Sequence, residues 1–322
     1  MKIAFVFLLL FTHGINHSAF AQSYPTKPIR MIVPFPTGGG VDLTARVIGA
    51  KLTEALRQQV IVDNRGGAAG IIGMELAAGS KPDGYTLIMS SLAPLAINPG
   101  LYPSVPYDSV KSFAPVARVA TEVYALTVHP SVPAKSVEEF IALAKAQPGK
   151  LVYASSAVGS VTHLAGELFQ SMDGIKMLHV PHKGGGLAFT ALLGGQVNMY
   201  FSPLFSLRQY ITAGKVRALG VTSSRRSYLA SDIPTIAESG LPGYEATSWT
   251  GLLAPSGTPQ PIITRLNAEI IRVLPMPEVS EVLGGSGTEF GRNTPEQFGD
   301  VVRAELDKWR KLIRAVGVKA EQ

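Results

Sequence analysis

The chain has 322 residues, no cysteine, 29 Lys and Arg against 23 Asp and Glu, and a formal charge of +6. Without cysteine it can hold neither a disulfide nor a thiolate metal site, so its stability has to come from a large buried core. The basic excess is modest, lacks Lys/Arg blocks and is not interleaved with aromatic residues, which argues against nucleic acid and favours a small anion as partner.

Met1 and Lys2 precede an almost wholly apolar run from Ile3 to Phe11, and a short polar patch leads to Ala19-Phe20-Ala21. This is the pattern of a secretory signal cleaved after Ala21, with an apolar stretch too short to span a bilayer. Removing residues 1–21 takes only Lys2, so the mature chain from Gln22 has 28 basic and 23 acidic residues, or +5, and is expected to be exported. No later segment reads as a transmembrane helix.

Ile29, Met31, Ile32 and Val33 form a short apolar run bounded by Pro34 and Pro36, the mark of a buried strand of the parallel type. Gly38, Gly39 and Gly40 follow, and Val41, Leu43, Ala45, Val47, Ile48 and Leu52 then recur at helical spacing. Strand, glycine loop and helix make the start of an α/β unit. Glycines let a ligand approach the backbone, and the helix N-terminus offers free N–H groups to an anion. The alternative is an ordinary turn that needs glycine to bend. Phe35 in this loop either covers the apolar body of a ligand or packs beneath the loop. Asp42 in the first helical turn accepts backbone N–H groups and braces the loop, or faces the ligand; Arg46, one turn later, is its natural partner.

Val60 to Val62 reads as a strand, followed by a glycine-rich turn at 63–73 that lacks the spacing of a dinucleotide or Walker loop, and then by a helix to Ala78. Tyr85 to Met89 is a strand ending at Ser90 and Ser91, where open α/β sheets place ligands, although Ser90 is equally a cap for the next segment. Five prolines between Pro94 and Pro115 predict a loop with short helical turns at most. Val116 to Val128 returns to strand character as a candidate hinge. Ser136, with Glu139 three residues on, predicts a capped helix to Ala146.

Leu151 to Ala154, the loop from Ser155 to His163 and the apolar pattern Leu164, Leu168, Phe169 and Met172 repeat the opening arrangement. A third such loop, His182-Lys183-Gly184-Gly185-Gly186, follows a strand end at 179–181, and Lys183 there is either a neutralising cation or a solvated one. Val197 to Phe201 reads as a strand ending at Ser202. A short helix at 207–212 and a strand at 217–222 come next, and Ile233 to Glu238 reads as the start of another helix. Trp249 to Leu253 is a second candidate hinge strand, with Tyr244 and Trp249 near it as core or cleft-lining aromatics. Residues 259–273 and 295–316 read as long amphipathic helices, with Trp309 in the core. Two hinge strands predict residues 22–123 plus 247–322 as one domain and 124–246 as an inserted one. The elbow G-x-S-x-G, H-E-x-x-H and the P-loop are absent, and no histidines fall at metal spacing.

The segments PFPTGGGVDLTAR at 34–46, VDNRGGAAGIIG at 62–73, KPDGYTL at 81–87, SSAVGSVTHLAGELF at 155–169, HVPHKGGG at 179–186, GKVRALGVTSSRR at 214–226 and PTIAESGLPGYEATSWTGLLAPSGTP at 234–259 resemble the Bug family. These are extracytoplasmic solute receptors of tripartite tricarboxylate transporters. The resemblance implies an α/β, two-lobed periplasmic-binding-protein fold of type II-like topology with two crossover strands. It implies a periplasmic, monomeric, non-enzymatic receptor without cofactor or metal. Its ligand would be a small di- or tricarboxylate, acidic amino acid or aromatic acid, and its partners membrane transporter subunits.

Carried onto this chain, the binding elements fall on Phe35, Thr37, Gly38, Gly39, Gly40 and Asp42, on Ser90 and Ser91, and on Ser155, Ser156, Gly159, Ser160 and His163. Lys183, Gly184 and Ser202 complete the expected set. The family motif usually has tyrosine where His182 stands and often an acid where Ser202 stands. The loss of that acid favours a second anionic or a neutral polar group on the ligand over an amine. Two rival readings are a periplasmic sensor feeding a membrane signalling protein and a hydrolase using Ser160 and His163.

Overall fold

The computed structural model describes residues 24–284 and 288–320, so the signal sequence read at residues 1–21 lies outside the described residues. The first strand, β1 (Ile29–Val33), leads into helix α1 (Gly40–Leu56), strand β2 (Val60–Asn64), helix α2 (Ile71–Ala78) and strand β3 (Thr86–Ser91). β1 lies between β2 and β3 and is parallel to both. Ile29, Met31 and Val33 enter a buried cluster with Ile48 and Leu52 of α1, whereas Ile32 enters a second cluster on the other face. A strand covered on both faces needs the unbroken apolar run this one has.

A π-helical turn at Ala93–Ile97 runs into α3 (Asn98–Leu101), and the chain then enters β4 (Phe113–Glu122). The stretch expected as one strand at 116–128 is two: β4 ends at Glu122, β5 (Tyr124–Val128) begins one residue later, and they belong to different sheets. Ser136 caps α4 (Val137–Ala146) by accepting from Glu139 N at 3.2 Å. The Glu139 carboxylate turns to Lys135 N at 2.6 Å instead of completing the box on Ser136. The second sheet is completed by β6 (Val152–Ser155), β7 (Leu178–Pro181), β8 (Met199–Pro203) and β9 (Arg217–Val221), in the order β7-β6-β8-β5-β9. Between these strands run α5 (Val161–Asp173), α6 (Gly185–Leu193) and the short α7 (Arg208–Thr212).

The helix expected from Ile233 does not form. Thr235 bridges Val221, Val221 N donates to Pro234 O at 2.8 Å, and Ile236 N donates to Val221 O at 2.9 Å, so this segment lies along β9. Thr235 and Glu238 do exchange the reciprocal bonds of a helix start, each at 2.9 Å, but Gly240 takes φ +101° and turns the chain away within a turn.

β10 (Ser248–Pro255) returns to the first sheet and runs antiparallel between β3 and β4. α8 (Gln260–Val273) follows, then α9 (Pro277–Gly284), which the sequence reading left out, and a two-residue β11 (Thr288–Glu289). α10 (Pro295–Val316) closes the fold within the bounds its periodicity predicts, started by a capping box of Thr294 and Gln297 and stopped by Gly317 at φ +71°. The first sheet reads β11-β4-β10-β3-β1-β2.

The chain passes between the sheets at Val123 and returns between Ala246 and Ser248. Thr222 ties the two crossings together: its hydroxyl accepts from Tyr124 N at 3.1 Å, its N–H donates to Tyr124 O at 2.9 Å, and its carbonyl accepts from Ala246 N at 3.0 Å. One buried cluster runs through both halves, joining Ile32 and Ile88 to Leu126 and Phe201 through Phe298, Trp309 and Ile313 of α10.

Gly251, in the middle of β10, makes room for this helix. A Cβ there would stand 2.2 Å from the ring of Phe298, which is fully buried and edge-on to Trp249. Gly251→Ala is therefore expected to destabilise the protein by roughly 1–3 kcal/mol. Phe298→Leu in the same chain should recover part of that loss; urea unfolding of the single and double variants checks both.

Candidate functional site

Where β1 ends, Pro34 to Gly39 carries the chain to the N-terminus of α1. Gly39 is the N-cap and has no side chain, so no side-chain bond covers the first N–H groups of this helix. Those groups are the polar ends that an anion satisfies. The loop is held by Asp42, 2% exposed. One carboxylate oxygen accepts from Gly38 N at 2.9 Å and Arg46 Nε at 3.0 Å; the other accepts from Asn64 Nδ2 at 2.9 Å. The same Asn64 amide donates to Phe35 O at 3.1 Å, and Arg46 returns to Asn64 Oδ1 at 3.0 Å. Burial opposes ionisation of Asp42, but the bonds from Arg46, Gly38 and Asn64 outweigh it and hold the carboxyl below its ordinary range. Asp42 thus braces the loop.

The loop borders a cavity of about 450 Å³. From the expected set it brings together Phe35, Gly40 and Ser91, with Val41 and Thr44 beside them. Beyond Ser91 the same sheet continues the lining with Ser248, Trp249 and Thr250 of β10 and Ala120 and Glu122 of β4, and Phe205 reaches in from the half built on the second sheet. Thr37, Gly38 and Gly39 are exposed on the loop at its edge. Ser90 does not cap the next segment, whose N-cap is Leu92; it is fully buried and its hydroxyl meets Met74 Sδ at 3.2 Å. Trp249 lines the cavity and is also core, whereas Tyr244 is core alone and donates to Ala165 O at 2.9 Å. Glu122, Ser248 and Phe205 escaped the sequence reading. For Glu122 the available signal was an acid in an otherwise mostly apolar strand stretch, next to the crossover.

The second-sheet loop is internally bonded and does not border this cavity. Ser155 is buried and meets His179 Nε2 at 2.7 Å and Ala157 O at 3.0 Å. Ser156 N donates to Thr162 Oγ1 at 2.9 Å, and Ser156 O accepts from Gly184 N at 2.8 Å, which joins this loop to the one before α6. Ser160 is the N-cap of α5, accepting from His163 N at 3.2 Å and donating to Ala157 O at 2.7 Å. Gly159 takes φ +74°, donates to His163 Nδ1 at 3.0 Å, and has no room for a Cβ, which would stand 2.4 Å from Leu101 of α3. Lys183 is exposed and makes no ion pair with a described residue. Gly184 caps α6 at φ +114° without a side-chain bond, and Ser202 is fully buried with no partner for its hydroxyl among the described residues.

This wiring retires the hydrolase alternative. His163 Nδ1 is taken by Gly159 N–H, and the Ser160 hydroxyl faces the His163 backbone instead of its ring, so Ser160 and His163 are not paired as nucleophile and base. Among the described residues no group of acidic, His or Cys side chains is placed to hold a metal.

The His163 and His179 rings stack with centroids 3.9 Å apart. Burial, reinforced by its neighbour His179, lowers His163 to about 3. Burial and His182 lower His179 to about 4. Glu167 Oε1 stands 3.7 Å from His163 Nε2 but is engaged by Tyr153 OH and Gln170 Nε2. Both histidines are neutral in the folded protein at pH 7. Between their ordinary 6.5 and these lowered values, the unfolded chain binds protons that the folded one refuses. Their stabilising contribution is complete above pH 6.5 and is lost as pH falls towards 4, by up to about 1.4 kcal/mol per pH unit for His163. Urea unfolding at pH 4.5, 5.5 and 7.0 checks the slope, which His163→Gln should flatten.

Comparison with known proteins accords with this geometry. Residues 44–318 match the family described as tripartite tricarboxylate transporter family receptor. BugT of Bordetella pertussis is 38% identical over 318 residues, covering 98% of each chain. An R. palustris protein solved with adipate is 36% identical, with a TM-score of 0.74 over 92% of this chain and 99% of that one. MatC from Rhodopseudomonas palustris, solved with bound malate, is 31% identical, with a TM-score of 0.71 over 90% and 100%. Two sheets joined by paired crossovers around a cleft define a two-lobed periplasmic solute-binding receptor, not an enzyme. The chain belongs to the tripartite tricarboxylate transporter receptor family.

Proposed function

We propose that this receptor captures a small organic acid between two lobes, residues 22–123 with 247–322 and residues 124–246, and delivers it to a tripartite tricarboxylate transporter. In this reading the signal sequence is cleaved after Ala21 and the mature protein works in the periplasm as a monomer. The observation that carries the proposal is the uncapped N-terminus of α1, which opens beside Gly40 and Val41 onto a cavity walled by Phe35, Trp249 and Phe205. Free N–H groups at the positive end of a 17-residue helix suit a carboxylate, and the aromatic walls suit a short carbon skeleton. Adipate and malate in the two R. palustris relatives are acids of this kind.

The elements split the task. The first lobe supplies the anion-binding helix end, and the second supplies Phe205 and the loops at Ser155–Ser160 and Lys183–Gly184. A ligand touching both lobes stabilises the closed arrangement over the open one by its added contacts. Bridging waters between the acid and these loops cost little and tolerate different acids.

A thermal-shift screen of residues 22–322 against adipate, malate, citrate and aromatic acids tests the reading. A ligand at 100 times its Kd adds about 2.7 kcal/mol, a shift of several degrees. Gly40→Asp supplies the specific control. A Cβ at Gly40 meets nothing within 4 Å, so the variant should fold, while its carboxylate occupies the helix N-terminus in place of the ligand. Calorimetry should show affinity for the best acid reduced at least a hundredfold with an unchanged or higher melting temperature; full affinity would sink the site.

A further inference from the structure

Glu122 is the last residue of β4, directly beside the crossover, and stands in register with Ser248 of β10. It is half-buried in the wall of the same cavity that holds Phe35 and Gly40. One of its carboxylate oxygens accepts from Tyr124 OH at 2.6 Å. That is its one side-chain hydrogen bond with the described residues, and it makes no ion pair among them. The one cation of β4, Arg118, makes no ion pair with it among the described residues. The indole N–H of Trp249, in the adjoining wall, is buried and has no acceptor among the described residues. The lining of the cavity therefore includes one carboxylate with an unused oxygen, in addition to the free end of α1. Burial raises the Glu122 carboxyl above its ordinary range, which the Tyr124 bond only partly opposes.

We infer that Glu122 is a specificity-determining residue that selects carboxylates carrying an ammonium or other N–H donor at their far end over dicarboxylates of the same length. This rests on the receptor reading above. The helix end takes the carboxylate, and Glu122 takes the donor. A second carboxylate would bring like charge to a half-buried acid that lacks a cation, a penalty of the kind by which sites reject near-isosteres. The selection runs against the expectation drawn from Ser202: the acid missing there is supplied to the cleft from β4.

Titration calorimetry at pH 7 with matched pairs tests it: 5-aminopentanoate against adipate, and 4-aminobenzoate against terephthalate. The wild-type protein should bind the nitrogen-bearing acid of each pair at least tenfold more tightly. Glu122→Gln, with its melting curve recorded to establish folding, should lose that preference and gain affinity for the dicarboxylate. Wild-type affinity for adipate and terephthalate equal to or above that of their partners overturns the inference while leaving the receptor reading intact, and this comparison needs no variant. A preference that survives unchanged in folded Glu122→Gln also overturns it. No binding of any of the four acids by the folded wild-type protein also overturns the inference, while the receptor reading is judged by the wider thermal-shift screen.

Discussion

The loop that begins the cleft depends on one buried carboxylate. Asp42 sits in the first turn of α1, out of reach of solvent, and gathers Gly38 N–H, Arg46 and Asn64 onto its two oxygens. Because Asn64 ends β2 and also holds the Phe35 carbonyl, the brace ties the loop to the neighbouring strand as well as to its own helix. A glycine loop without such a tie would sample many conformations, and an anion site built from backbone N–H groups works only if those groups are already aimed. The shape of this loop thus rests on a buried carboxylate of the protein itself.

The second constraint is the way two sheets share one core. A chain that crosses twice between lobes leaves two adjacent strand ends, and Thr222 satisfies both through one hydroxyl, one N–H and one carbonyl. α10 lies across the junction and contributes Phe298, Trp309 and Ile313 to a cluster that includes residues of both sheets. The halves are therefore packed together on the side of α10 and separate only at the cleft. Glu122 stands at this junction, its carboxylate bonded to Tyr124 on the far side of the crossover. Whatever meets Glu122 meets a residue anchored to both sheets.

Polar groups in the second half serve mainly to shape its own loops. Ser155, Ser156, Ser160 and His163 spend their hydrogen bonds on Ala157, His179, Thr162 and Gly159. The stacked, neutral pair His163 and His179 fixes the start of α5 without placing charge there. An imidazolium there would bring attraction for any acid at the expense of selectivity, and burial prevents it at neutral pH.

Much of this was legible in the chain itself. The switch from a continuous apolar run to helical spacing around Gly38–Gly40 marked β1 and α1, the pattern from Pro295 to Val316 marked α10, and the ordered series of motifs marked the family. These are local signals, because period and cap chemistry are written in neighbouring residues. Other features were decided only by the tertiary structure. The start signal at Thr235 and Glu238 is intact, yet the segment lies along β9, since pairing with Val221 and the turn at Gly240 override a single turn of helix. Serines chosen for their place at strand ends, Ser90 and Ser155, are turned inward, because a strand shows alternate residues to opposite faces and sequence does not say which face is the cleft. Glu122 meets Phe35 and Gly40 across more than eighty residues of chain. Periodicity says that a face is covered, but which side chains complete a cavity follows from the order of strands in the sheet, and that order is set by packing of the whole molecule.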